Sequence, residues 1–307
     1  MTCDLTNPIF TTEAAAVAHL EHSRWAQGVT CPLCGSDKAK KMGGQTQAGM
    51  FLCGDCRGKF TVRTGTVFER SHIPLHKWLL ATHLMASSKK GISAHQLHRM
   101  LGITYKSAWF MAHRIREAMA PAADKASDPM GGEGKVVEMD ETYVGNKKGR
   151  KLRGKNHPGN IKHTVVALVE RGGAVRSFHV KDTVNKKVAR EIMFANADKA
   201  SDIVTDEAPF YPAAGAHFIQ HSSVNHSAKE YVRGDIHTNT IEGVFSIFKR
   251  GMVGTYQHCG EQHLQRYLNE FDFRYSNRTK LGFNDITRAA KIIKGAEGKR
   301  LTYRQVG

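Results

Sequence analysis

The chain has 307 residues, enough for two or three domains and at least one sizeable core. Apolar residues at 40% exclude a disordered chain, and no run approaches the roughly 18 consecutive apolar residues of a membrane span. Lys and Arg exceed Asp and Glu by 17, which directs attention to a polyanionic partner, nucleic acid foremost. The opening "MTCDLTNPIF" lacks the basic and apolar regions of a secretory leader, so a cytoplasmic location is expected.

Residues 6–28 read as a helical lead-in, with Ala14 to Leu20 as its apolar part. Residues 29–68 are Gly-rich and carry short strands and paired cysteines. Cys31-Pro-Leu-Cys34 and Cys53-Gly-Asp-Cys56 are each a C-x2-C, with 18 residues between the pairs. That is zinc-ribbon spacing: two knuckles turn four thiolates toward one Zn2+. Four protein ligands close the tetrahedron, so the expected zinc is structural. Cys3 and Cys259 stand alone.

Residues 74–119 have helical spacing. Within them "GISAHQLHRMLGITYKSAWFMAHRIREAM" resembles a helix-turn-helix. Ser93 can cap a helix that buries Leu97 and Leu101, Gly102-Ile103 makes the turn, and Thr104 can cap a second helix. That second helix buries Ala108, Met111, Ala112 and Ile115. Its other face offers Lys106, Ser107, His113 and Arg114 to phosphates and base edges. "PAADKASDPMGGEG", 121–134, combines Pro, Gly, Asp and Ser as a linker does.

Beyond the linker the period changes from helical to alternating. "KVVEMDETYV", "IKHTVVALVE" and "GAVRSFHVKD" read as three strands, the last two joined by a tight turn at Arg171-Gly172-Gly173. "NKKVAREIMFANAD" is helical, "DIVTD" and "AHFIQHS" are short strands, and helices follow at 239–252 and 260–276. This order gives a mixed α/β domain. Five divisions are expected: an N-terminal segment with the zinc ribbon (1–70), a helix-turn-helix segment (71–120), the linker (121–134), the α/β domain (135–290) and a basic tail (291–307).

Three carboxylates stand out. Asp140 ends an apolar strand, and Asp206 ends "DIVTD" in the same way. Ligands tend to sit at the carboxyl ends of strands in an open α/β sheet. Glu242 lies in "HTNTIEGVFSIFKRGM", on a polar helical stripe with Asn239, Ser246 and Lys249. Between Asp206 and Glu242 lie 35 residues, and Lys249 is seven beyond Glu242. Glu141 and Glu207, beside the two aspartates, read as supporting or surface acids. After Asp140 the chain runs into a tract of six basic residues, Lys147, Lys148, Arg150, Lys151, Arg153 and Lys155.

These spacings resemble the DDE transposases and retroviral integrases. More narrowly, "MDETYVG", "TDEAPFY", "HTNTIEGVFSIFKRGMVGTY" and "HLQRYLNEFDFRYSNR" resemble a group of bacterial insertion-sequence transposases with an N-terminal zinc ribbon, over about Cys31 to Arg278. The resemblance implies an RNase H-like mixed-sheet catalytic domain with Asp140, Asp206 and Glu242 holding two Mg2+ or Mn2+ ions. Such hard cations bind oxygen ligands and phosphate oxygens. It implies double-stranded DNA as partner, both element terminal repeats and target, with a homo-oligomer assembled on it. The expected reactions are nicking at the element end, then attack of the freed 3′-hydroxyl on target DNA. Lys249 and the basic tract would grip the DNA backbone. Some members of the group use Asn as the third catalytic residue, and Asn239 lies one turn before Glu242. Glu242 is preferred, because the gap and the Lys count from it and a carboxylate binds a divalent ion better than an amide. A different class of function, a zinc-ribbon and helix-turn-helix regulator with an inactive nuclease-like domain, is the alternative.

Overall fold

The computed structural model describes residues 4–44, 48–121, 128–145, 162–181, 183–228, 230 and 232–302. The chain divides into two compact units, one of residues 1–120 with 284–307 and one of residues 121–283.

The first unit begins with α1 (Pro8–Thr11) and α2 (Glu13–Arg24). Then β1 (Ala39–Lys41), β2 (Met50–Cys53) and β3 (Lys59–Thr61) pair antiparallel in that order. So small a sheet cannot bury much, and an aromatic cluster supports it. Trp25 packs edge-on against Phe51 and Phe60, whose rings stack on one another. Three helices follow: α3 (Leu75–Ser87), α4 (Ala94–Leu101) and α5 (Tyr105–Met119). The expected caps are present. Ser93 Oγ accepts from Gln96 N–H, and Thr104 Oγ1 accepts from Ser107 N–H. Gly102 ends α4 at φ 58°, the left-handed conformation that favours glycine.

The second unit holds β4 (Val136–Val144), β5 (His163–Glu170), β6 (Val175–Val180), α6 (Lys186–Asn196), β7 (Asp202–Thr205), α7 (Pro212–Gly215) and β8 (Gln220–Ser223). A small hairpin, β9 (Val232–Arg233) and β10 (Ile236–His237), precedes α8 (Asn239–Gly251) and α9 (Leu264–Ser276). The main sheet runs β6-β5-β4-β7-β8, with β4 to β6 antiparallel and β7 and β8 parallel to β4. Residues 165–169 of β5 are all fully buried, so both faces of the sheet are covered. Met139, Val166 and Leu168 pack with α6 residues Ala189 and Met193 on one face. Val165, Ala167 and Val169 pack with Ile241, Val244, Phe245 and Phe271 of α8 and α9 on the other.

The chain then returns to the first unit. Helix α10 (Asp285–Lys294) packs on α3 and α5, and Arg288 Nε donates to Ala86 O. At its end a Cβ on Gly295 would lie 2.3 Å from Ala118 O, so only glycine permits this approach to α5. Thr66 bridges Glu297. The expected boundary at 290 therefore falls inside a helix, and 284–302 forms part of the N-terminal unit's core instead of ending the α/β domain. The ribbon and the helices, expected as separate segments, share this unit. The physical reason is coverage: α1 and α2 pack on α3, and α10 adds cover to both α3 and α5.

Candidate active site

Strand β4 sets the site. Its side chains alternate, so Val137 and Met139 enter the α6-side core while Glu138, Asp140 and Thr142 face α8. On its β7 side, pairing runs only from Val136↔Asp202 to Glu138↔Val204. Continuing that register brings Asp206, one residue past the end of β7, beside Asp140. Asp140, expected at a strand end, is instead the fifth of nine residues in β4, which runs on to Val144 beside β5 alone; the two aspartates meet where β7 ends and β4 continues.

Glu141 joins them. One carboxylate oxygen each of Asp140, Glu141 and Asp206 lies within 4.8 Å of the others. Glu141, read from sequence as a supporting or surface acid, is half-buried and not on the surface: Tyr211, buried on the α6 side, donates its hydroxyl to Glu141 Oε2 at 2.6 Å. Asp140 Oδ1 accepts from Glu141 N–H, and Asp206 Oδ1 accepts from Ala208 N–H. Glu207 takes no part. It turns to the 226–228 segment, accepting from His226 N–H, Ser227 N–H and Ser227 Oγ.

Burial first, then the neighbouring carboxylates of Asp206 and Glu141, pushes Asp140 up to about 7. Burial likewise raises Glu141 and Asp206. Half-buried acids crowded in this way favour a proton or a cation between them. The donor set is all oxygen and anionic, which fits Mg2+ or Mn2+.

Glu242 stands outside this cluster, exposed on the first turn of α8, though its charge contributes to raising Asp140. Thr238 Oγ1 donates to its Oε1 at 3.1 Å. Asn239 is the exposed first residue of the same helix. Lys249 is exposed two turns on and lines a cavity with Tyr143, Val144, Gly145 and His163 at the far end of β4.

A buried acid that sequence reasoning passed over holds α8 in this position. Glu138 is fully buried, two residues before Asp140 on the same face. Its Oε2 accepts from Ile241 N–H in the first turn of α8 at 2.9 Å, and its Oε1 accepts from Arg171 Nε at 2.6 Å. Arg171 also donates to Asp235 O and His237 O in the β9-β10 hairpin. The signal in the sequence was an acid within the apolar run "KVVEMD", which must find partners if the strand is buried.

The four cysteines also converge. Cys31 Sγ and Cys56 Sγ are 3.8 Å apart, and Cys34 Sγ and Cys53 Sγ are 3.6 Å apart. A tetrahedron with zinc–sulfur bonds of about 2.3 Å has an edge of about 3.8 Å, so the thiols already have the right spacing.

The helix-turn-helix face differs from expectation. Arg114 is buried, with Nε donating to Leu301 O and Nη1 to Glu69 O, and its guanidinium lies over Phe110. His113 is also buried, its ring 4.2 Å from that of Trp109. Arg114 points inward because the returning segment, through Leu301, covers its side of α5. Lys106 is exposed and Ser107 half-buried at the start of α5, where His95 and Tyr105 stack 4.2 Å apart beside exposed Arg99. The basic tract from Lys147 to Lys155 lies outside the described residues.

A five-stranded mixed sheet of this order, with one acid midway along β4 and another just past β7, defines an RNase H-like domain. Comparison with known proteins narrows the class. Residues 131–276 match the ISXO2-like transposase domain, and residues 11–59 match the transposase zinc-ribbon domain; together they span more than half the chain. An uncharacterized protein of transposable element ISH50 from Halobacterium salinarum is 27% identical over 278 residues, 86% of this chain and 91% of that one. The chain thus carries an ISXO2-like transposase domain behind a transposase zinc ribbon. Among solved structures, a Mos1 pre-cleavage transpososome is 11% identical over 66% of this chain and 73% of that chain, with a TM-score of 0.31. A simian T-cell lymphotropic virus intasome is 15% identical over 64% of this chain, and this chain spans 65% of that one, with a TM-score of 0.29. At such scores the fold assignment rests on the sheet order. No helix among the described residues is long and apolar enough to cross a membrane.

Proposed function

We propose that the protein is a DNA transposase that binds the ends of an insertion element, nicks them and joins the freed 3′-hydroxyls to target DNA. The observation that carries this reading is the convergence of Asp140 and Asp206 on the adjacent strands β4 and β7, with Asp140 pushed up to about 7 by burial and its acidic neighbours. Such a cluster serves no purpose in a domain kept only as a scaffold, which weighs against an inactive nuclease-like regulator.

Asp140, Asp206 and Glu242 would hold two Mg2+ or Mn2+ ions, and Glu141 is close enough to join them. When bound, those ions make an attacking hydroxyl more acidic and offset charge on the leaving oxygen. The chain's own groups prepare the place. Tyr211 keeps Glu141 turned toward the aspartates. Glu138 fixes the first turn of α8, and with it the approach of Asn239 and Glu242. Lys249 is placed for a phosphate of the DNA end instead of for metal. The basic tract 147–155 would hold flanking backbone without reading sequence.

The first unit supplies recognition. Cys31, Cys34, Cys53 and Cys56 hold one structural Zn2+. Lys106 and Ser107, with the exposed Arg99, Tyr105 and His95 around the turn, meet the terminal repeat in place of buried Arg114. More than one copy assembles on the DNA to bring two ends together.

The test is cleavage and joining on a labelled terminal-repeat duplex, taken from the inverted repeats flanking the coding sequence, in Mg2+ and in Mn2+. Asp140→Asn and Asp206→Asn should abolish nicking and leave binding of the duplex intact. Glu242→Gln should do the same, and Asn239→Ala should be milder. A wild-type chain that binds the repeats but never cuts them in either metal overturns the reading in favour of a regulator. An inactive Asn239→Ala beside an active Glu242→Gln makes Asn239 the third ligand.

A further inference from the structure

We infer that His163, His179 and Glu261 form a further metal site, apart from the carboxylates at β4, that takes a divalent transition-metal ion such as Zn2+. The three residues come from β5, β6 and the short turn Glu261–His263 ahead of α9. Register places the histidines together: Val165 pairs with His179, and His163 lies two residues before Val165, on the same face. Their rings meet edge to face with centroids 5.6 Å apart.

His163 Nδ1 and His179 Nε2 are each 3.8 Å from Glu261 Oε1, and one ligand atom from each of the three residues lies within 4.8 Å of the others. These separations are too long for hydrogen bonds. His163 is only 6% exposed, and its Nδ1 is buried without a hydrogen-bond partner. A buried imidazole nitrogen left unmet carries a desolvation cost, so a group that satisfies it at the centre of this triangle is favoured. Metal bonds of about 2.0–2.1 Å in a tetrahedron separate ligand atoms by about 3.4 Å, so small side-chain movements complete the site.

The donor set decides the ion. Two imidazoles and one carboxylate suit zinc and its transition-metal neighbours, whereas the all-oxygen cluster at Asp140 suits Mg2+ or Mn2+. The scaffold around the site is firm. Gln265 Oε1 accepts from His179 N–H and Gln265 Nε2 donates to Ser177 O, both at 2.9 Å, which pins the first turn of α9 to β6. His163 also pairs with Val144 of β4 and lines a cavity of about 280 Å³ with Gly145, Lys249 and Cys259. An ion held here would tie the end of β4, the 257–260 loop and the start of α9 together beside Lys249. This inference stands whether or not the carboxylates catalyse.

The experiment is Co2+ titration of the purified full chain with its cysteine site already filled by zinc. Cobalt bound to nitrogen and oxygen gives weak ligand-field bands without the strong sulfur-to-metal charge-transfer bands of a thiolate site. About one equivalent of cobalt per chain should bind at micromolar concentration, unaffected by excess Mg2+ and retained by Asp140→Asn. Glu261→Gln, at an exposed position, should weaken cobalt binding by roughly tenfold or more, as should His179→Asn. Absence of stoichiometric cobalt binding in the wild type, or unchanged binding in both variants, overturns the site.

Discussion

Removing Glu138 tests how the active face of the second unit is assembled. In Glu138→Ala, Ile241 N–H loses its acceptor and Arg171 loses the only carboxylate that it touches among the described residues. Breaking a buried ion pair from one side costs about 3–5 kcal/mol. The lower end applies, because the Arg171 side chain is 21% exposed and keeps its bonds to Asp235 O and His237 O. Glu138→Gln preserves an acceptor for Ile241 but loses one charge-assisted bond, about 1.5–3 kcal/mol. For a unit of this size each kcal/mol lowers the melting temperature by about 2–4 °C, so the alanine variant should melt about 6–12 °C lower. Chemical denaturation gives the free energies, and hydrogen exchange at the Ile241 amide reports the helix start directly. At a temperature where both variants are folded, nicking should fall more in alanine than in glutamine. A loss below about 1 kcal/mol in Glu138→Ala, with Ile241 protection unchanged, refutes the argument that this acid docks α8.

Further measurements address the remaining parts. Arg114→Ala should destabilise the first unit by about 3 kcal/mol through two lost charge-assisted bonds, measured by denaturation; a normally stable variant with reduced preference for terminal repeats would restore the groove-facing reading of Arg114. Asp272 accepts from Ser177 N–H and Oγ, and burial pushes it up to about 7. Its folded pKa is raised, so the folded state binds the extra proton and this residue's contribution to stability increases as pH falls from about 8 toward 5. Asp272→Asn should therefore gain stability relative to wild type at alkaline pH, an advantage that shrinks as pH falls below about 7 toward the unfolded value of 3.8; a constant difference across that range rejects the assignment. Cys53→Ser should lower zinc from about one ion per chain and unfold the ribbon, as elemental analysis and thermal melting would record; full zinc content in that variant would mean that the four thiols do not share an ion.

Local pattern determined much of this protein. The paired C-x2-C motifs, the Ser93 and Thr104 caps and the Gly102 turn were legible because each depends on neighbours within a few residues. Asp206 was legible because an apolar run of strand length that stops at an acid marks a carboxyl end, whereas Asp140 lies midway along β4, which its pairing with β5 carries on to Val144. Tertiary structure decided what spacing alone leaves open. Glu141 looks like a neighbour of Asp140 pointing the other way, yet its carboxylate lies near both aspartates and accepts from Tyr211, 70 residues on. Arg114 sits on a helix face that reads as open until the segment carrying Leu301 returns to cover it. Glu138 needed Arg171 and the start of α8 as partners, and His163 needed His179 and Glu261. These sites are made by strand register and by segments far apart in sequence. A buried polar group takes its role from whatever the fold brings within bonding distance, and periodicity carries no record of that.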